Sequence, residues 1–287
     1  DEARLLGDDN LPYGPLPRDW MRFKGLSHQR QRVVLHYSIG HAKVLESPGV
    51  EVTDGKLVFT RTLEIGASDM ALEMRIADAK QHVSSDAGQI ATADGFQVLR
   101  VPARGEMRRV TVRIASDVAA PAGMKAIAPA TDLAALTKGT ASQWAVSLPA
   151  SNGAKIMGDG IEAETLAFPD SATNPWHTQW RPGGLDFFAD GQRLAVCTWM
   201  GDVWLVEGLA APQQTWRRIA AGLNQPLGLK IIDDVIHVTC RDQLVKLRDL
   251  NSDGETDFYE CLNSDHHVTE HFHEFAMGLQ TDAAGDF

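Results

Sequence analysis

Residues 249–260 read DLNSDGETDFYE, and every fixed position of the calcium-loop pattern D-x-[DN]-x-[DN]-G-x5-E is filled. Asp249, Asn251, Asp253, Asp257 and Glu260 would bring side-chain oxygens, and Glu255 its backbone carbonyl. Hard oxygen donors spaced this way suit a cation that takes about six to eight ligands, which favours Ca²⁺ over Mg²⁺. Gly254 permits the sharp turn. Thr256 stands where a helix-flanked loop usually carries an aliphatic residue, which fits a structural site better than a sensor. The plain alternative is an acidic turn with no metal. Neither flank, DQLVKLR or CLNSDHH, reads as a helix, so the loop is expected to join two strands.

A second group lies just downstream. DHHVTEHFHE, residues 265–274, packs four His and three acids into ten residues. Imidazole and carboxylate together could ligate Zn, Cu or Fe, and His271 and His273 fall on one side of a strand. The spacing matches no standard zinc pattern. A solvated polar loop, or a His bonded to backbone, accounts for the stretch equally well. Arg241 and Asp242 follow the strand-like VIHVTC and could hold a polar ligand or a salt bridge. Trp199, Asp202 and Trp204 occupy a corresponding turn, with the aromatics read as core. Cys197, Cys240 and Cys261 form no C-x-x-C, which excludes a c-type haem attachment within this chain and favours buried thiols. No G-x-S-x-G or P-loop is present, and Gly158 and Gly160 precede no helix, so a dinucleotide site is not expected.

These groups need a frame. Over residues 31–115, RVVLHYSI, KLVFTRTLEI, MALEMRIA, GFQVLRVP and RRVTVRIA alternate or are rich in β-branched residues. SPG at 47–49, TDG at 53–55 and ADG at 93–95 give turn signals between them. Strands without helical periodicity imply a sandwich or barrel. Residues 116–141 are rich in Ala, Pro and Thr and read as a connection with one short helix at TDLAALTK, followed by the strand QWAVSLP. Of the net charge of −11, nearly all sits in residues 249–287, which hold ten Asp/Glu and no Lys or Arg. That speaks against nucleic acid or an anionic membrane as partner and for a cation site. No run of about 18 apolar residues exists, so no membrane span is expected. Residues 1–20 lack an apolar core, so no signal peptide is expected in this chain.

After residue 180 a repeat emerges. Gly-Leu pairs fall at 184–185, 228–229 and 278–279, and each of the first two opens a strand, an Asp-containing turn and further strands. A period of 40–50 residues with three or four strands per unit is propeller spacing. The expected architecture is therefore all-β. Residues 1–141 should form a β-sandwich-like domain with a linker, and residues 142–287 a partial β-propeller of about two blades plus the start of a third. The acidic loop would then join the third strand of the second blade to its fourth.

GLDFFADGQRLAVCTWMGDVWLVEGL, WRRIAAGLNQPLGLK, RDQLVKLRDLNSDGETDFYE and HFHEFAMGLQTDAAGDF together resemble the propeller of a membrane-bound dehydrogenase family of bacterial envelopes, members of which often carry a c-type haem domain. RFKGLSHQRQRVVLHYSIGHAKVLESPGVEV resembles the β-rich domain that precedes that propeller. The resemblance covers most of residues 20–287. It implies an exported protein of the periplasm or cell envelope. It also implies kinship with quinoprotein sugar dehydrogenases, which bind pyrroloquinoline quinone and calcium. On this reading His273 takes the place of the general base, Arg241 and Asp242 lie by the cofactor, and the substrate is a sugar or polyol. A cytochrome c would accept electrons, with haem only in a domain outside this chain. The alternative is a carbohydrate- or protein-binding propeller module without chemistry.

Overall fold

The computed structural model describes residues 5–6, 12–13, 16–153, 155–266 and 274–287. The fold is all-β, and the chain divides into two compact units, Asp1–Thr140 and Ala141–Phe287.

In the first unit, β1 (Leu5–Leu6) and β2 (Pro12–Tyr13) form a small antiparallel ribbon. The main sheet is built from β3 (Met21–Gln29), β4 (Arg32–Ile39), β5 (Ala42–Thr53) and β6 (Lys56–Ile65). A second, three-stranded sheet uses β7 (Leu72–Asp78), β9 (Gln89–Ala93) and β10 (Phe96–Val101). Between them in sequence, β8 (Val83–Ser85) joins the outer side of β11 (Arg108–Ala119). Pairing within the unit therefore runs β3-β4-β5-β6-β11-β8, and separately β7-β10-β9.

The apolar faces of the two sheets meet. Val44, Leu63, Ile65, Val110 and Val112 from the first pack with Leu99 and Val101 from the second. Of the sandwich and the barrel that alternation without helical period allows, this is sandwich-like packing of two open sheets. Its opposite face is covered at Val34 by Ala130 and Leu133 from the segment that follows β11. Glu46 is 5% exposed and is held there by Arg61, whose Nε and Nη2 donate at 2.5 and 3.0 Å, and by the Tyr37 hydroxyl at 2.8 Å.

Two of the expected turns are tight hairpins. Asp54-Gly55 joins β5 to β6 and Asp94-Gly95 joins β9 to β10, all four residues at positive φ. Those conformations match the twist of the flanking strands. Ser47-Pro48-Gly49 is different, because it lies inside β5. There β5 exchanges its neighbour on one side. β4 pairs only as far as Glu46, and Val50 then exchanges backbone hydrogen bonds with Ile127 at 2.8 and 3.0 Å. Pro48 falls in the gap, where no ladder needs its missing N–H. Gly49 is required because a Cβ would stand 2.5 Å from the Ile127 carbonyl oxygen. TDLAALTK yields only a single 3-10 turn, Ala135–Thr137.

In the second unit, β12 (Ser147–Ser151) is followed by an exposed hairpin of β13 (Lys155–Gly158) and β14 (Ile161–Glu164). Next come β15 (Pro182–Phe187), β16 (Arg193–Thr198), β17 (Val203–Glu207) and β18 (Gln213–Ala220). They pair as β15-β16-β17-β18, with β12 closing the outer edge. Trp204 and Trp216 on this sheet, with Leu194 and Val196, pack under Trp176 and Trp180 from the irregular segment before β15. A second meander follows as β19 (Gly228–Ile232), β20 (Val235–Thr239), β21 (Leu244–Arg248) and β22 (Phe258–Asn263), each paired antiparallel with the next.

The Gly-Leu pairs are where these layers meet. A Cβ on Gly184 would stand 2.8 Å from the Leu229 nitrogen, and one on Gly228 would stand 2.5 Å from the Gly278 carbonyl. Gly278 donates its N–H to the Leu227 carbonyl at 3.0 Å. Backbone can approach backbone this closely only where there is no side chain. Beside this seam Asp186 accepts from the Ile231 N–H and from Lys230 Nζ, both at 2.9 Å.

Candidate metal centre and its surroundings

Residues 249–257 connect β21 to β22, a strand-to-strand loop with no helix on either side. Asp249 organises it. One carboxylate oxygen accepts from the N–H groups of Asn251, Ser252 and Asp253 at 2.7–3.3 Å, and the other from Gly254 at 2.7 Å. Asn251 Oδ1 accepts from the Asp253 N–H and Asp253 Oδ1 from the Glu255 N–H. Asp257 folds back so that its carboxylate takes the Leu250 N–H at 2.8 Å. Gly254 sits at φ +82°, the left-handed region a tight loop assigns to glycine.

Asp249, Asn251, Asp253 and Asp257 thus share one small loop, and all their donor atoms are hard oxygens, the set that suits Ca²⁺. Glu260 is placed otherwise. It lies on β22 and forms an ion pair with Arg248, Nε to Oε2 at 2.6 Å. Among the described residues no three His, Cys, Asp or Glu side chains already converge on one point. Loop N–H groups, rather than a common centre, hold the carboxylates.

The loop is anchored from outside itself. Arg217 on β18 donates from Nη1 to the Gly254 carbonyl at 2.7 Å, and the Thr256 N–H donates to the Ile219 carbonyl at 2.9 Å. The Glu255 side chain, 5% exposed, turns away from the loop. Its Oε2 accepts from Ser142 Oγ at 2.7 Å, the Gln143 N–H at 2.7 Å and the Trp144 N–H at 2.9 Å. A cavity of about 370 Å³ lies inside the sandwich of the first unit. In the second unit a cavity of about 340 Å³ opens beside the loop, with Arg193, Arg217 and Arg248 among its lining residues.

Next to this anchor lies a buried ion pair that joins Asp202, a turn residue already marked by the sequence, to Arg218, which carries no sequence signal. Arg218 Nη1 stands 3.4 Å from Asp202 Oδ1, with side chains 8% and 4% exposed. The guanidinium is stacked between Trp144 and Trp176, 4.6 and 4.0 Å from their centroids. Burial lifts the Asp202 carboxyl above its ordinary range against the pull of Arg218, and burial likewise lowers the Arg218 guanidinium. Neither Trp-Arg-Arg at 216–218 nor the turn that holds Asp202 announces a pair.

Arg241 and Asp242 lie at the far end of β21 from the loop. Arg241 follows β20, donates its N–H to the Asn224 carbonyl at 2.9 Å and Nη1 to Gln225 Oε1 at 3.1 Å, and lies over the Phe275 ring. Crowding raises the Asp242 carboxyl, opposed by the nearby His266, yet much of the residue meets water, which argues against a specialised acid. His266 bonds to the Cys240 carbonyl through Nε2 at 3.1 Å. His273, His271 and the rest of 267–273 lie outside the described residues. Burial pushes the Cys197 thiol up to about 12 and Cys240 in the same direction, as expected for inert core thiols. Arg241 and Asp242 therefore do not join the acidic loop in one site.

A family model described as a domain of unknown function (DUF6797) matches residues 1–46. No curated protein and no solved structure matches the chain.

Proposed function

We propose that residues 142–287 are part of a calcium-stapled β-propeller, with Ca²⁺ as a structural cation in the loop 249–260. The observation that carries this reading is the loop's position. One acidic loop between β21 and β22 is tied by Arg217 and Ile219 to β18 of the preceding sheet. A cation held there would neutralise Asp249, Asp253 and Asp257 and so tighten the junction between two successive sheets. The propeller reading is supported by the two consecutive four-stranded meanders and by the close approaches of Gly184 to Gly228–Leu229 and of Gly228 to Gly278.

A ligand bound only by the folded form stabilises by RT ln(1 + [L]/Kd), about 2.7 kcal/mol at a hundredfold excess over Kd. Chelation should therefore lower the melting temperature, Ca²⁺ should restore it, and Mg²⁺ should restore it less. Asp249→Ala should remove the response. Melting of the wild type that is indifferent to chelator, with no metal retained after dialysis, would leave the loop a plain acidic turn.

A second reading adds catalysis. Arg241, Asp242 and His266 gather polar groups at the end of β20, which favours a ligand site there, in keeping with an envelope dehydrogenase acting on a sugar or polyol with a quinone. Tight binding of pyrroloquinoline quinone, lost in Arg241→Ala, is the expected result. No binding by equilibrium dialysis would return these residues to a structural role and favour a non-catalytic binding module.

A further inference from the structure

We infer that Glu255 couples cation binding in the loop to docking of residues 142–144. The inference rests on the calcium reading above and concerns how that site is regulated. In the loop pattern Glu255 contributes only its backbone carbonyl, so its side chain should be free to vary. The structure gives the side chain a different task. It is buried, and three donors from Ser142, Gln143 and Trp144 meet its Oε2. Those donors are more than 110 residues away in sequence and belong to the segment leading into β12.

Glu255 is fixed from both sides. Its own N–H donates to Asp253 Oδ1 at 3.0 Å, inside the loop, while its carboxylate holds residues 142–144 outside it. Whatever fixes Asp253 and the Gly254–Glu255 backbone therefore fixes the carboxylate. The effect extends further, since Trp144 is one of the two rings stacked on Arg218. Ordering the loop with a cation thus lowers the cost of ordering 142–144, and the reverse holds by the same free energy. Glu255 is here a positioning residue, not a cation ligand through its side chain.

The test uses the whole chain, with Ca²⁺ titrated by calorimetry and amide hydrogen exchange read over 142–147. In the wild type, Ca²⁺ should slow exchange at 143 and 144. Glu255→Ala keeps the carbonyl ligand, so the loop pattern alone predicts unchanged affinity. Coupling predicts a Kd raised roughly tenfold, within the usual range for linked sites. Ser142→Ala, outside the loop altogether, should raise Kd by a smaller factor, and Glu255→Gln, which keeps an acceptor oxygen, should fall between wild type and Glu255→Ala. Should Glu255→Ala fail to fold, Ser142→Ala and the wild-type exchange data decide alone. Ca²⁺ binding with equal affinity in every variant, or with no change in exchange at 143–144, overturns the coupling and leaves the calcium reading standing. Absence of Ca²⁺ binding in the wild type overturns both.

Discussion

Replacing Asp202 and Arg218 singly and together gives a result that their separate contacts do not predict. Opposite charges 3.4 Å apart at an effective dielectric of about 20 attract by roughly 5 kcal/mol. Against this stands desolvation. Both side chains are more than nine-tenths buried, and the Asp202 carboxyl is raised rather than lowered, so burial outweighs what Arg218 returns. Asp202→Ala leaves the guanidinium without its ion-pair partner between two tryptophans and should cost about 3–5 kcal/mol. Arg218→Met keeps aliphatic packing on Trp144 and Trp176 but strands the carboxylate, with a similar cost. The double substitution removes both charges and should cost far less than the sum, leaving a coupling of about 2–3 kcal/mol. The assay is urea unfolding at pH 8 followed by tryptophan fluorescence. Six of the seven tryptophans lie in residues 141–287, so the signal reports this unit. Single variants that add without coupling, or an Asp202→Ala within about 1 kcal/mol of wild type, would refute the buried pair.

Two further predictions concern the frame. Gly228→Ala puts a Cβ 2.5 Å from the Gly278 carbonyl, and Gly184→Ala puts one 2.8 Å from the Leu229 nitrogen, both against backbone that cannot swing aside. Each should cost more than about 2 kcal/mol by urea unfolding. Gly105→Ala, with nothing within 4 Å, should change stability by less than about 0.5 kcal/mol. In the first unit, Glu46→Ala strips Arg61 and the Tyr37 hydroxyl of their buried acceptor and should cost about 3 kcal/mol, seen as a lower melting temperature of the sheet signal in circular dichroism. An unchanged melt would mean that water replaces Glu46 there.

Sequence pattern was most informative where structure is local. Asp54-Gly55 and Asp94-Gly95 announce hairpins because a two-residue turn with both φ positive is nearly a property of those residues alone. The placement of the acidic loop between strands followed from the alternation of its flanks. The same local logic misread Ser47-Pro48-Gly49, because what accommodates Pro48 and demands Gly49 is Ile127, far along the chain. β3 carries no clear strand signal because Lys24-Gly25 interrupts its alternation, and its register with β4 shifts at that point. The Arg218–Asp202 pair was illegible for a related reason. Trp204 opposes Arg218 across β17 and β18 after a register shift, and only that pairing brings Asp202 to the guanidinium. The Glu255 side chain was assigned nothing by the loop pattern, since its partners are set by tertiary fold.

The separation of the two expected sites bears on how any calcium dependence of activity should be read. Asp242 precedes β21 and Asp249 follows it, with an extended strand between them. Seven residues at about 3.3 Å each put them on the order of 20 Å apart. A cation in the loop cannot touch a ligand held by Arg241 and Asp242. Its influence must run through the position of β21 and through the anchors on β18 and residues 142–144. If the chain turns over a polyol, chelation should then reduce activity in step with loss of the folded form, monitored by tryptophan fluorescence. The Michaelis constant of the remaining folded fraction should stay the same. A rise in that constant at temperatures where the chelated protein is still fully folded would show that the cation takes part in substrate binding.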